Sequence, residues 1–307
     1  MQQDSAAIHK SGPKLSGISS LLFITGMPCG RLIESFTLPN FVIISVVISH
    51  DSGFGITARS VDSLEGASRM FVPYSEFQIP EGVTSVIGSG GKTSFLRYFA
   101  EKLNGSVILT TSTHMLPFPD LPLVKSSTGD TGSGLIRDGL RGAVSQNRIA
   151  CLGAPLPSGK LAAPCGITFE ELEELADYVL VEADGSKGRP LKAHRSFEPV
   201  IPPCSRLTVC LIGASGIGRL PSEACHCPEL FLSLSGGDPE EPVRLDQIAR
   251  VINKENLADC CFVNQIDTLP DSRAAVQLCE LIRAKAYAGS LKQGFFLEEQ
   301  AKPGAKP

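Results

Sequence analysis

The chain has 307 residues, 42% of them hydrophobic and 20% charged, which is enough for a large core and one or two domains. Its net charge of −4 and pI of about 5.8 give no support to a nucleic-acid or anionic-membrane partner. No apolar stretch reaches the length of a membrane span. The ten cysteines form no CxxC pair, and Cys210 and Cys260 lie inside apolar runs, so a reducing compartment, cytoplasm or organelle matrix, is the easier reading.

Residues 1–80 carry glycines, serines and prolines without a sustained period and read as an N-terminal extension, partly disordered or targeting. The first fifty hold few acidic groups and several serines, as a targeting segment does, but arginine is scarce. Leu21 to Thr25 and Phe41 to Ile48 are apolar but short. Pro80-Glu81-Gly82 marks a boundary, with the main domain over 81–290 and a tail over 291–307.

From residue 82 strands and helices alternate. A β-branched run over 83–87 precedes Gly88-Ser89-Gly90-Gly91-Lys92-Thr93-Ser94, and Leu96, Phe99, Ala100 and Leu103 then recur at helical spacing. Strand, glycine loop, Lys-Thr and helix form the layout of a P-loop. Glycines let backbone N–H groups close on an oxyanion, Lys92 reaches the β- and γ-phosphates, and the Thr93 hydroxyl holds Mg²⁺. The loop is two residues shorter than GxxxxGK[ST] and is similar to the GTxGKT loop of Mur-type ligases. A dinucleotide fold is disfavoured, because Thr93 takes the sixth place of GxGxxG.

The next strand, 106–111, leads into Thr110-Thr111-Ser112-Thr113, whose hydroxyls are placed either to touch Mg²⁺, with Thr111 the candidate ligand, or simply to end a strand in polar groups. The stretch 114–147 is rich in Pro, Gly and Ser and reads as an insertion or mobile region over the nucleotide. A short strand follows at 148–152. Thr168 and Glu171 have capping-box spacing, with Leu172 and Leu175 inward.

The apolar strand 178–181 ends in Glu182-Ala183-Asp184-Gly185, where a Walker B carboxylate for Mg²⁺ belongs. The E-x-x-G spacing resembles the switch of nickel-insertion GTPases. Sequence does not separate Glu182 from Asp184. Lys187, Arg189, Lys192, His194 and Arg195 follow, either as a solvated loop or as a site for an anionic substrate or cofactor.

A strand at 207–212 comes next. Cys225-His226-Cys227 lacks a matched second half for a metal site and reads as buried or loop cysteines. Leu245, Ile248, Ala249 and Ile252 mark an amphipathic helix, and 260–263 is a strand. Asn264-Gln265-Ile266-Asp267 resembles the NKxD guanine-reading motif of GTPases, with Gln265 in place of Lys. Ala275, Leu278, Cys279 and Ile282 face inward on a last helix. The fold class expected is α/β, a P-loop NTPase-like three-layer fold with a mainly parallel sheet and an irregular N-terminal extension.

Taken in order, these blocks resemble the selenium-dependent molybdenum hydroxylase accessory proteins of the YqeC type. The resemblance rests on 86–94, on Leu109-Thr110-Thr111-Ser112-Thr113 and above all on Leu180-Val181-Glu182-Ala183-Asp184-Gly185-Ser186-Lys187-Gly188-Arg189-Pro190-Leu191-Lys192. Phe197-Glu198-Pro199-Val200-Ile201-Pro202 and Asn264-Gln265-Ile266-Asp267 extend it. It covers roughly two-thirds of the chain and leaves the N-terminal extension without a counterpart. It implies a role in maturing a molybdenum hydroxylase that carries selenium, with that client or its anionic cofactor met near 187–195. The expected activity is that of a nucleotide-dependent accessory factor: Mg²⁺ with ATP or GTP binds residues 88–94, Asn264 and Asp267, and a switch sits near 182–192. An ATP-dependent ligase or small-molecule kinase with a Mur-like loop is the alternative, and a binding module without turnover the third reading.

Overall fold

A computed structural model describes residues 77–126 and 133–297, together with the backbone of the strands at 21–23, 32–38, 41–48 and 71–72. The chain divides into two units, Met1–Pro73 and Tyr74–Pro307. In the first, β1 (Leu21–Phe23), β2 (Leu32–Leu38) and β3 (Phe41–Ile48) form an antiparallel sheet in that order, so the two short apolar runs are strands. The last strand of this unit in sequence is β4 (Phe71–Val72). The unit boundary falls seven residues before the expected one at 80, because Phe77 and Ile79 are buried in the core of the second unit.

The second unit is α/β. Its parallel strands are β5 (Gly82–Gly88), β6 (Val107–Thr111), β9 (Ile149–Pro155), β11 (Tyr178–Glu182), β13 (Leu207–Gly213), β15 (Cys260–Asn264) and β16 (Lys285–Ser290). They lie in the order β16-β15-β13-β5-β11-β6-β9. A short strand β8 (Leu123–Lys125) runs parallel to β9, and β10 (Leu161–Ala162) connects β9 to β7 (His114–Met115) in antiparallel pairing. At the other edge β17 (Phe295–Leu297) pairs antiparallel with β16. The expected tail over 291–307 therefore begins with sheet: Phe296 is a buried core residue.

Alternate residues of each central strand feed two cores, since side chains along a strand point to opposite faces. Val107 and Leu109 of β6 and Leu180 of β11 meet α1 (Lys92–Lys102) through its Phe95, Leu96, Phe99 and Ala100. Ile108, Val179 and Val181 meet α2 (Ser133–Asn147) and α3 (Phe169–Glu173). The α1 side carries an aromatic cluster, with Phe95 and Phe99 centroids 4.4 Å apart and Phe77 edge-on to Phe95 at 5.7 Å. Such pairs contribute about 0.5–1.5 kcal/mol each beyond burial.

Helix α2 corrects the reading of 114–147 as an insertion or mobile region. Ile136, Leu140 and Val144, four residues apart, bury one stripe of it, a pattern that Gly134, Gly139 and Gly142 obscure in sequence. The capping box of α3 forms as expected, with Thr168 Oγ1 accepting from the Glu171 N–H at 3.2 Å and Glu171 Oε2 from the Thr168 N–H at 2.8 Å.

Beyond β11 the chain forms β12 (Leu191–Lys192), α4 (Pro221–Ala224), β14 (Cys225–His226), α5 (Pro228–Ser235), α6 (Leu245–Glu255) and α7 (Arg273–Leu281). Strands β12 and β14 pair in parallel, with Lys192 opposite His226. The α7 helix ends before Ile282, which is buried just past it.

Candidate functional site

Register sets the site. Glu182 stands opposite Thr111 on β6 and Val86 on β5, Leu211 opposite Gly88, and Asn264 opposite Gly213. The carboxyl ends of five parallel strands thus meet on one edge, which is where open α/β sheets place ligands.

The glycine loop 88–94 fills that edge. Gly90 and Gly91 have φ of 89° and 126°, conformations that side chains resist. A Cβ at Gly90 would collide with the Gly213 backbone, and one at Gly91 with the Asn264 amide. Gly91 also caps α1 without a side chain, so no capping side chain takes the first N–H groups of that helix. Those donors and the positive helix end are suited to an anion. The Ser89 hydroxyl is buried with no hydrogen-bond partner among the described residues.

Lys92 is 4% exposed, and its ammonium donates to the Gly88 carbonyl at 2.6 Å and to Ser186 Oγ at 3.3 Å. It lies 2.9 Å from Asp184 Oδ1 and 4.0 Å from Glu182 Oε1. Thr93 Oγ1 donates to Glu182 Oε2 at 3.4 Å. Thr93 and Glu182 therefore bring two hard oxygens to the loop mouth, a pairing that suits Mg²⁺.

The two acidic residues that sequence left equivalent differ sharply. Asp184 is fully buried; its Oδ2 accepts from the Gly88 N–H at 2.8 Å and meets His194 Nε2 at 2.7 Å and Lys192 Nζ at 3.2 Å. Burial opposes its charge, but the His194 hydrogen bond and the Lys92 and Lys192 ammonium groups outweigh it and hold the carboxyl at about 2. Oδ2 is taken up by these protein groups, while Oδ1 makes no hydrogen bond and faces the Lys92 ammonium at 2.9 Å, so Asp184 ties the loop to the buried cations. Glu182 lines the cleft beside the loop, and burial pushes it up to about 6, against the pull of Lys92.

His194 bridges Asp184 and Glu255, with Nδ1 2.8 Å from Glu255 Oε2. Burial works against its charge, yet the hydrogen bonds to Asp184 and Glu255 raise it to about 9. Lys192 completes the buried cluster, donating to Glu198 Oε2 at 2.7 Å and the Gly185 carbonyl at 2.6 Å. The five-residue basic cluster is thus split. Lys192 and His194 are buried in charge pairs, while Lys187, Arg189 and Arg195 are exposed and line a cleft of about 980 Å³ shared with residues 90–94.

Thr111 is turned away from the site. Its fully buried hydroxyl donates to the Glu182 carbonyl at 2.7 Å and accepts from the Thr113 N–H at 3.0 Å, so it shapes the acidic turn instead of offering a metal ligand. Asn264 is 4% exposed and holds the loop: Nδ2 donates to the Gly90 carbonyl at 2.8 Å, and Oδ1 accepts from the Leu291 N–H at 3.1 Å. Asp267 is exposed and lines a second cleft of about 640 Å³, with Gly91, Thr93, Ser94 and Gln265. Glu198 and Glu255 are the members of the charge cluster that sequence reasoning missed. Glu255 lies 61 residues from His194 at the last position of α6, where it reads as an ordinary polar helix end.

The family model for the YqeC protein matches residues 84–229. A curated relative from Escherichia coli (strain K12), named "Uncharacterized protein YqeC", is 28% identical over 232 residues, covering 64% of this chain and 81% of the relative. Over residues 84–229 the chain is similar to the YqeC family. The family match takes in the glycine loop, Glu182, Asp184 and the 187–195 segment. It stops before Glu255, Asn264 and Asp267. Among the described residues, no helix is long and apolar enough to cross a membrane.

Proposed function

We propose that this chain, similar to the YqeC family, is a nucleotide-dependent accessory factor in which the 88–94 loop is a P-loop for Mg²⁺ with ATP or GTP. The observation that carries this is the loop's geometry. Gly90 and Gly91 hold positive φ in front of an uncapped helix start, and the Lys92 ammonium is pinned by the Gly88 carbonyl at the same mouth. Thr93 and Glu182 would hold the Mg²⁺, which when bound neutralises phosphate charge. Lys92 would supply charge-assisted hydrogen bonds to the β- and γ-phosphates. Asp267 and Gln265 line the cleft on the other side of the loop and are positioned for the base. Occupancy or hydrolysis would act through Glu182 on the 182–192 turn, since that turn carries both the cleft-facing carboxylate and Asp184, the anchor of the loop.

The client, a selenium-dependent molybdenum hydroxylase or its anionic cofactor, is supported by the resemblance of the 180–192 block and by the exposed Lys187, Arg189 and Arg195 in the shared cleft. That cleft also favours a second reading, an ATP-using ligase or kinase, because it leaves room for an acceptor beside the loop. Titration of the purified protein with ATP and GTP, with and without Mg²⁺, tests the proposal, with phosphate release followed in parallel. Mg²⁺-dependent binding of at least one nucleotide is expected, with any guanine preference lost in Asp267→Asn. Failure of both nucleotides to bind sinks it, and ADP formation only on addition of a carboxylate or hydroxyl acceptor favours the second reading.

A further inference from the structure

In sequence, Cys225-His226-Cys227 lacks a matched second half for a metal site. The fold supplies one. Glu198, 28 residues upstream of His226, comes beside it, and one ligand atom each from Glu198, His226 and Cys227 lie within 4.8 Å of one another. We propose that Glu198, His226 and Cys227 form a site for a borderline-soft divalent transition ion of the Zn²⁺ class, open to the cleft beside the glycine loop.

Three features of the fold support it. First, two of the three ligands sit on regular elements, and Glu198 comes from the segment after β12. His226 ends β14, whose partner β12 places Lys192 directly opposite. Cys227 starts α5 with φ of 61°, a left-handed backbone that a cysteine adopts at a cost and that fixes where its thiol points. Second, Glu198 is oriented by a neighbour. Lys192 donates to one carboxylate oxygen at 2.7 Å, leaving the other for the ion, as outer-shell partners do in metal sites. Third, the donor set is selective. One carboxylate oxygen, one imidazole nitrogen and one thiolate suit Zn²⁺ and Co²⁺, whereas Mg²⁺ prefers oxygen ligands throughout.

Metal–ligand bonds of about 2.0–2.3 Å imply ligand separations of roughly 3.3–3.8 Å in a tetrahedron, so the trio needs to close by no more than about 1–1.5 Å on binding. Three protein ligands leave a fourth position. Glu198 and His226 line the cleft that also holds Lys187, Arg189 and Arg195, while Cys227 is buried beside them. The fourth ligand is therefore water or an anionic donor atom of whatever compound the cleft takes. Nothing in this site requires nucleotide, so it stands or falls apart from the glycine loop.

Co²⁺ is the probe. Chelator-treated full-length protein, without nucleotide, is titrated with Co²⁺ and then with Zn²⁺ in competition with a chromophoric chelator. One equivalent of Co²⁺ is expected, with a thiolate-to-cobalt charge-transfer band in the near ultraviolet that Zn²⁺ abolishes. Cys227→Ser should lose that band and at least about tenfold in affinity, His226→Ala and Glu198→Gln should each lose about tenfold, and Cys225→Ser should change neither. The absence of a stoichiometric site in the unmutated protein, or a band that survives in Cys227→Ser, overturns the assignment. Should Cys227→Ser fail to fold, the more exposed His226→Ala decides: unchanged affinity in that variant overturns it equally.

Discussion

The loop at 88–94 and the buried cluster behind it are built from the same kinds of residue and do opposite things. At the loop mouth, donors and the Glu182 carboxylate face a cleft, and burial raises Glu182 to about 6. Behind it, Asp184, two residues further along the chain, is fully buried against Lys92, Lys192, His194 and the Gly88 N–H and sits at about 2. A carboxylate that opens on a cleft is poised for a ligand; one fully buried among cations is structural. Charge and location alone did not distinguish them.

Removing Asp184 should break the contrast most strongly. Asp184→Asn leaves Lys92, Lys192 and His194 without their shared anion, and breaking a buried pair in this way costs about 3–5 kcal/mol. Chemical denaturation should show that loss directly. A variant within about 1 kcal/mol of the unmutated protein would mean that the cluster is not the anchor of the loop.

The next effect is on pH dependence. His194 is raised from 6.5 to about 9 in the folded state, so its contribution is complete below pH 6.5 and disappears as pH rises through 9. The shift corresponds to on the order of 3 kcal/mol. Asp184 works in the other direction, its contribution present above pH 3.8 and lost as pH falls toward 2. Urea unfolding at pH 6.5 and pH 10 should show the alkaline loss, and His194→Gln should flatten it. An equal alkaline loss in that variant would assign the effect to other groups.

Legibility followed distance along the chain. The strand and helix that flank the glycine loop, the α1 face and the capping box are contiguous patterns, and each formed as read. Helix α2 was hidden by three glycines in a stripe of only three buried apolar residues. Strands β16 and β17 carry Gly289 and Gly294 at or between them and follow a helix that looked like the end of the domain. The site split the same way. Lys92, Thr93 and the acidic turn were visible, but the fates of Glu182 and Asp184 depend on His194, Lys192 and Glu255, which reach them only through the fold. Asn264 was expected at the base and instead braces the loop, because register places it opposite Gly213 where the loop is tightest.

Glu182 gives the smallest stability effect and the opposite sign. A carboxyl raised from 4.5 to about 6 burdens the folded state above that range, so Glu182→Gln should gain up to about 2 kcal/mol at pH 8 and nothing at pH 4. The same variant should lose Mg²⁺ dependence of nucleotide binding. In the unmutated protein that dependence should weaken as pH falls through 6, where the carboxyl takes up a proton. Destabilisation at pH 8, matching Asp184→Asn, would erase the distinction between the two residues.

The most direct measurement is calorimetric titration of Mg-ATP and Mg-GTP into the unmutated protein and Lys92→Ala, with circular dichroism confirming that both are folded. Charge-assisted hydrogen bonds from Lys92 to phosphate are worth about 1.5–3 kcal/mol each, so the variant should bind at least about tenfold more weakly. Equal affinity in the two folded proteins would contradict the assignment of residues 88–94 as the phosphate-binding loop.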